Sequence, residues 1–127
     1  MEISKGNLGA LAPTPTSHVT GAVYNRILLH GPDLQVSLNL VKCLPGGRSK
    51  WHTHTFEQGM VVTEGKGIVA TEEAEYVVES GDVVIVPENE KHWHGGTDTT
   101  GMTHIVINGS GTTTVIGPVE VVRTRDV

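Results

Sequence analysis

Two short stretches of this chain carry residue types that hold metal ions: Trp51-His52-Thr53-His54-Thr55-Phe56-Glu57-Gln58 and His92-Trp93-His94. Successive side chains of an extended strand point to opposite faces, so His52, His54 and Gln58 share one face while Glu57 points away from it. A one-residue bulge would exchange Gln58 for Glu57. A second strand bringing His92 alongside would complete a site of three imidazoles and one amide oxygen, a donor set that suits a divalent transition metal such as Mn, Fe, Co, Ni, Cu or Zn. A Gln ligand is neutral, so the ion keeps its full 2+ charge and acts as a Lewis acid on a carbonyl, hydroxyl or nitrile rather than cycling with oxygen.

The elements that must position these groups are strands. Sixteen glycines punctuate short runs of Val, Ile and Thr, and no long window has apolar residues at helical spacing. Strands are expected over Ala22 to Leu29, Leu34 to Leu44, Lys50 to His54, Gln58 to Glu64, Gly67 to Thr71, Ala74 to Val78, Asp82 to Val86, His92 to Gly95, Thr103 to Asn108 and Thr114 to Val122. Turns are expected at Gly31-Pro32, Pro45-Gly46-Gly47, Ser80-Gly81-Asp82 and Gly95-Gly96, and Gly65 and Gly67 read as a tight hairpin. Many short strands at close spacing predict an all-β sandwich or small barrel of one domain. Residues 1–20 form an arm lying on the surface or on a neighbouring subunit, residues 21–110 the barrel, and residues 111–127 a final strand or tail.

Two strands read as buried on both faces. In Leu34 to Leu44 one face carries Leu34, Val36, Leu38 and Leu40, and the other Ser37, Asn39, Val41 and Cys43. In Thr103 to Asn108, Ile105 and Ile107 oppose His104, Val106 and Asn108. If the histidine face lines the interior, the Leu/Ile face needs another sheet or subunit, and a homodimer is the economical answer. Asn39, Val41, Phe56, Met60, Val62, Val106 and Asn108 are then the candidate pocket walls.

Composition narrows the partners. With 127 residues, 37% hydrophobic content and a formal charge of -5, the chain supports one real core and lacks a basic footprint for nucleic acid or an anionic membrane. A small-molecule ligand is expected. Cys43 stands alone, no stretch is long enough to span a bilayer, and no basic, apolar leader is visible, so a cytoplasmic, reducing location is expected.

The spacing resembles the cupin superfamily. Its first motif, G-x5-H-x-H-x3-E-x6-G, is met by Gly46, His52, His54, Gln58 and Gly65, with Gln for Glu; its second, G-x5-P-x-G-x2-H-x3-N, is met by Gly81, Pro87 and His92, with Asn89 and Gly96 as departures. Trp51 to His54, Val62-Thr63, Gly81 to Val84, Glu90 to Gly95 and Thr99 to His104 are similar to the small bacterial cupin-fold hydroxynitrile lyases. That resemblance covers Pro45 to Ile107 and implies a jelly-roll barrel. It further implies manganese on His52, His54, Gln58 and His92, with His104 as general base and His94 near the substrate. The implied reaction is reversible addition of HCN to an aldehyde.

Several residues admit plainer readings. His94 either reaches the cavity or sits at its rim, His104 points inward or outward before the resemblance is counted, and His18 and His30 read as surface residues. Trp51 and Trp93, opposite the ligands, read as packing outside the barrel. Two other functions fit the same donors: an iron-dependent dioxygenase, against which the neutral Gln weighs, and a non-catalytic module that binds a small metabolite.

Overall fold

A computed structural model describes residues 1–5, 10–31 and 34–120. The described residues contain no helix. They form strands β1 (Ala12–Pro13), β2 (Val19–Thr20), β3 (Val23–Leu29), β4 (Ser37–Cys43), β5 (Arg48–Ser49), β6 (Trp51–His54), β7 (Gln58–Thr71), β8 (Glu75–Glu79), β9 (Val83–Val86), β10 (His92–Gly96), β11 (Met102–Asn108) and β12 (Thr113–Gly117). Every pairing is antiparallel, and the main path runs β1-β3-β4-β11-β7-β10-β5-β2, with β8 and β9 added to β7, and β6 to β10 and β12. The fold is all-β and barrel-like, as strand spacing predicts. Among the described residues there is accordingly no helix long and apolar enough to cross a membrane. The turn expected at Gly31-Pro32 and the end of the strand expected to reach Val122 fall partly outside the described residues.

The hairpin expected at Gly65 and Gly67 is instead the middle of one fourteen-residue strand, β7. Its first half pairs with β11 and β9, and its second half with β10 and β8. Between the halves the ladder slips: Thr103 faces Glu64, whereas His104 faces Val62, leaving Thr63 as an extra residue. Bulges let one strand turn a corner and serve two sheets. Gly65 supplies the left-handed φ of +76° at that corner, and a Cβ there would run into the Gly101 carbonyl. Glycine therefore marks a bend, not a reversal.

The arm does not float. β1 pairs with β3, β2 pairs with β5, and Asn25 Nδ2 donates to Thr14 Oγ1 at 2.7 Å. Inside the barrel, Met60, Val62, Val69, Val78, Val86, Met102 and Val106 pack together. Outside it, fully buried Trp93 packs with Ile68, Ala70, Val119 and Trp51, as alternation along β10 requires.

Candidate metal centre and its cavity

Strand register brings the expected donors together. His92 on β10 lies opposite His52 on β6, and Gln58 opens β7 beside them. The side-chain nitrogens of His52, His54 and His92 that could hold an ion lie within 4.8 Å of one another. Gln58 is buried and its Oε1 stands 3.2 Å from His92 Nε2, while Glu57 is exposed. Residues 55–57 form a bend between β6 and β7, and it is Gln58, not Glu57, that it delivers beside the imidazoles.

Each ring is aimed through its other nitrogen. His52 Nδ1 donates to the Lys50 carbonyl at 2.7 Å, and His92 Nδ1 to the Glu90 carbonyl at 2.8 Å. His54 Nδ1 lies 2.7 Å from Thr113 Oγ1, because Thr113 faces His54 across the β12/β6 ladder. Such partners fix ring orientation and tautomer at metal sites. Gln58 Nε2 donates to Asn108 Oδ1 at 2.8 Å, again between residues opposed in register.

These donors fit a cation. With its Nδ1 proton committed to Glu90, a neutral His92 presents a lone pair at Nε2, and Gln58 Oε1 is also an acceptor. Two buried acceptors facing each other repel unless something positive sits between them. His54 Nε2 is likewise buried without a partner. Burial is the first cause holding these rings neutral. It pushes His52, His54 and His92 from 6.5 down to about 4, and nearby imidazoles add to the shift. Neutral imidazole is the form that binds metal.

A cavity of about 380 Å³ opens on the centre. His52, His54, Gln58 and His94 form its polar wall, and Val19, Val23, Ile27, Val41, Val106 and Val115 most of the apolar one. Of the expected pocket residues, Asn39, Val41 and Val106 line it. Phe56, Met60, Val62 and Asn108 do not: Met60 and Val62 belong to the packed core, and Phe56 stacks on His54 at 4.7 Å. Phe56 and Asn108 face a separate groove with Thr113 and His30. Alternation predicts a face but not how far along the barrel the packed core gives way to space.

His94 lines the cavity, with burial first, then the other imidazoles, driving it well below 6.5. His104 lies behind it, fully buried, with ring centroids 5.0 Å apart and planes at 90°. Burial alone pushes His104 to about 4, and neither of its nitrogens has a hydrogen-bond partner. His104 points inward but not into the cavity wall.

The wall also includes residues that periodicity does not single out. Thr14, His18 and Val19 come from the arm, and Thr113 and Val115 from β12. His18 is exposed yet lines the cavity, with its carbonyl accepting from Lys50 N at 2.9 Å. The long-range pairing of β2 with β5, continued by the Lys50 bond, brings it there.

A β-barrel with this centre is the architecture of the cupins, and residues 39–108 match the cupin domain family. The chain belongs to the cupins. It is 39% identical over 109 residues to an (R)-mandelonitrile lyase from Granulicella tundricola, covering 84% of this chain and 83% of that protein. A cupin-like protein from Thermotoga maritima superposes with a TM-score of 0.84 at 27% identity, over 90% of each chain. A predicted oxalate decarboxylase from the same organism shares the fold, with a TM-score of 0.76 at 16% identity over 85% of this chain and 98% of that one.

Proposed function

We propose that this cupin is a metal-dependent hydroxynitrile lyase, joining HCN to an aldehyde and cleaving the cyanohydrin in reverse. His52, His54, Gln58 and His92 would hold the ion, manganese first, with Fe, Co, Ni or Zn as substitutes. A divalent ion in an all-neutral donor set supplies Lewis acidity toward a carbonyl or nitrile oxygen or nitrogen donor. In the synthetic direction a C–C bond forms between cyanide and the carbonyl carbon, and the proton given up by HCN ends on the new hydroxyl.

That proton is the task of the His94/His104 pair. Both rings are held neutral by burial, so each keeps a free lone pair, and His104 has no competing hydrogen bond. Because burial also makes them weak bases, a proton taken from HCN would be held there by the negative charge of the cyanide it leaves. His94 presents the pair to the cavity, and His104 backs it as base. The apolar wall of Val19, Val23, Ile27, Val41, Val106 and Val115 would take the aldehyde substituent and exclude water. The observation that carries the reading is a neutral donor set opening on this apolar cavity; similarity to an (R)-mandelonitrile lyase names the reaction.

The test is elemental analysis of purified protein together with release of benzaldehyde from mandelonitrile. One divalent ion per chain, activity lost on chelation and restored by Mn²⁺, and both lost in His92→Ala support the reading. Metal-loaded protein inert toward either enantiomer would leave a metabolite-binding cupin in its place. We further infer a homodimer that covers the apolar outer face of the sheet containing β4, β11 and β9.

A further inference from the structure

A glutamine side chain has two ends of nearly the same shape, and only its oxygen can serve a cation. Gln58 is buried, so its orientation is set by its neighbours rather than by water. We propose that Asn108 is the positioning residue that decides which end of Gln58 faces the imidazoles. The inference rests on the metal-centre reading and assigns a determinant within it.

Asn108 stands opposite Gln58 in the β11/β7 ladder and is paired on its other side with Ser37 of β4, so its backbone is held from both flanks. Its Oδ1 accepts from Gln58 Nε2 at 2.8 Å, which leaves Gln58 Oε1 facing His92 Nε2 at 3.2 Å. If the Gln58 amide turned over, its N–H would satisfy the His92 lone pair. The centre would then present a hydrogen where an oxygen is needed. With Asn108 in its present orientation, the same turn would set Gln58 Oε1 against Asn108 Oδ1, two acceptors in contact, and this disfavours it. Asn108 lies outside the cavity wall, facing the separate groove of about 370 Å³, so changing it does not reshape the substrate space.

The lock is specific to an amide ligand. A carboxylate in place of Gln58 offers oxygen at both ends and has no orientation to lose. The experiment is a double-mutant cycle read as Mn²⁺ affinity by chelator competition, with a thermal melt in chelator confirming each fold. Asn108→Leu, close in shape but without an acceptor, is expected to weaken Mn²⁺ binding by about 10–100-fold in the wild-type background. In the Gln58→Glu background the same substitution should change affinity by no more than about threefold. Equal losses in both backgrounds, or no loss in wild type, overturn the lock and leave the centre standing. Failure of the wild-type protein to take up any ion refutes the centre and the lock with it. If Asn108→Leu does not fold, Asn108→Asp carries the test: an acceptor-only side chain should hold affinity at or above wild type, and weaker binding overturns the proposal.

Discussion

His104 separates proton chemistry from metal binding. It is fully buried, belongs to none of the hydrogen bonds that aim the donors, and lies behind the cavity wall beside His94 and Val41. His104→Ala should therefore keep close to one ion per chain while turnover of mandelonitrile falls by about 100-fold or more, as loss of a general base predicts. Unchanged turnover would remove His104 from the mechanism; lost metal would make it a structural prop. His52 and His54 were legible because alternation along β6 puts both on one face, whereas Gln58 opens the next strand after a bend at residues 55–56, so alternation along a single strand does not account for its place. Asn89, a departure from the glycine of the second motif, has a physical explanation: its φ is +65°, a region that Asn enters more readily than most residues, and its N–H donates to the His54 carbonyl at 2.7 Å. By contrast, the cavity-lining role of His18 and the partnership of Thr113 with His54 depend on pairing between distant segments, which no local pattern encodes.

The elements were legible in number and kind more than in connection. Nearly every expected strand exists with ends moved by a few residues, and the misreading at Gly65 is instructive. Glycine with positive φ serves a hairpin and a bulged corner equally well, so only the ladder partners on either side distinguish them. The corner lets β7 carry Gln58 at one end and pair at the other with β10, which carries His92 and His94. Gly65→Ala combines left-handed backbone with collision against Gly101. It should destabilise by more than about 1–2 kcal/mol, read as a lower urea midpoint, with metal affinity reduced as the two halves of β7 shift. A variant as stable as wild type would show that the corner relaxes without cost. The arm was expected on the surface or on a neighbouring subunit; its pairing with β3 and β5 sets Thr14, His18 and Val19 in the cavity wall.

Two properties belong to the whole molecule. Five imidazoles are buried in the neutral form, and burial is the first cause at each. It pushes His52, His54, His92 and His104 from 6.5 to about 4 and His94 well below 6.5. In that window the unfolded chain binds more protons than the folded one. The contribution to stability is thus complete above 6.5 and lost as pH falls toward 4. Metal-free protein should show a urea midpoint that drops steadily between about pH 7 and about pH 4.5, and a flat profile would mean these rings titrate in the fold as they do in the unfolded chain. The second property is the bare outer face. Val83 and Ile85 on β9 adjoin Val61 on β7, Ile105 and Ile107 on β11, and Leu38 and Leu40 on β4, one apolar row across four strands. Val83 is 65% exposed, Ile85 59% and Ile107 37%, more than scattered surface residues require. A two-fold contact covers such a row with its own copy, and a stable one needs about 800 Å² from each partner. Light scattering should give twice the chain mass for the wild type. Ile85→Lys, which places a charge on the outer face, the side away from Gln58 by alternation across the β9/β7 ladder, should give a monomer that still binds metal. A wild-type monomer, or a dimer indifferent to Ile85→Lys, would assign this face to some other cover.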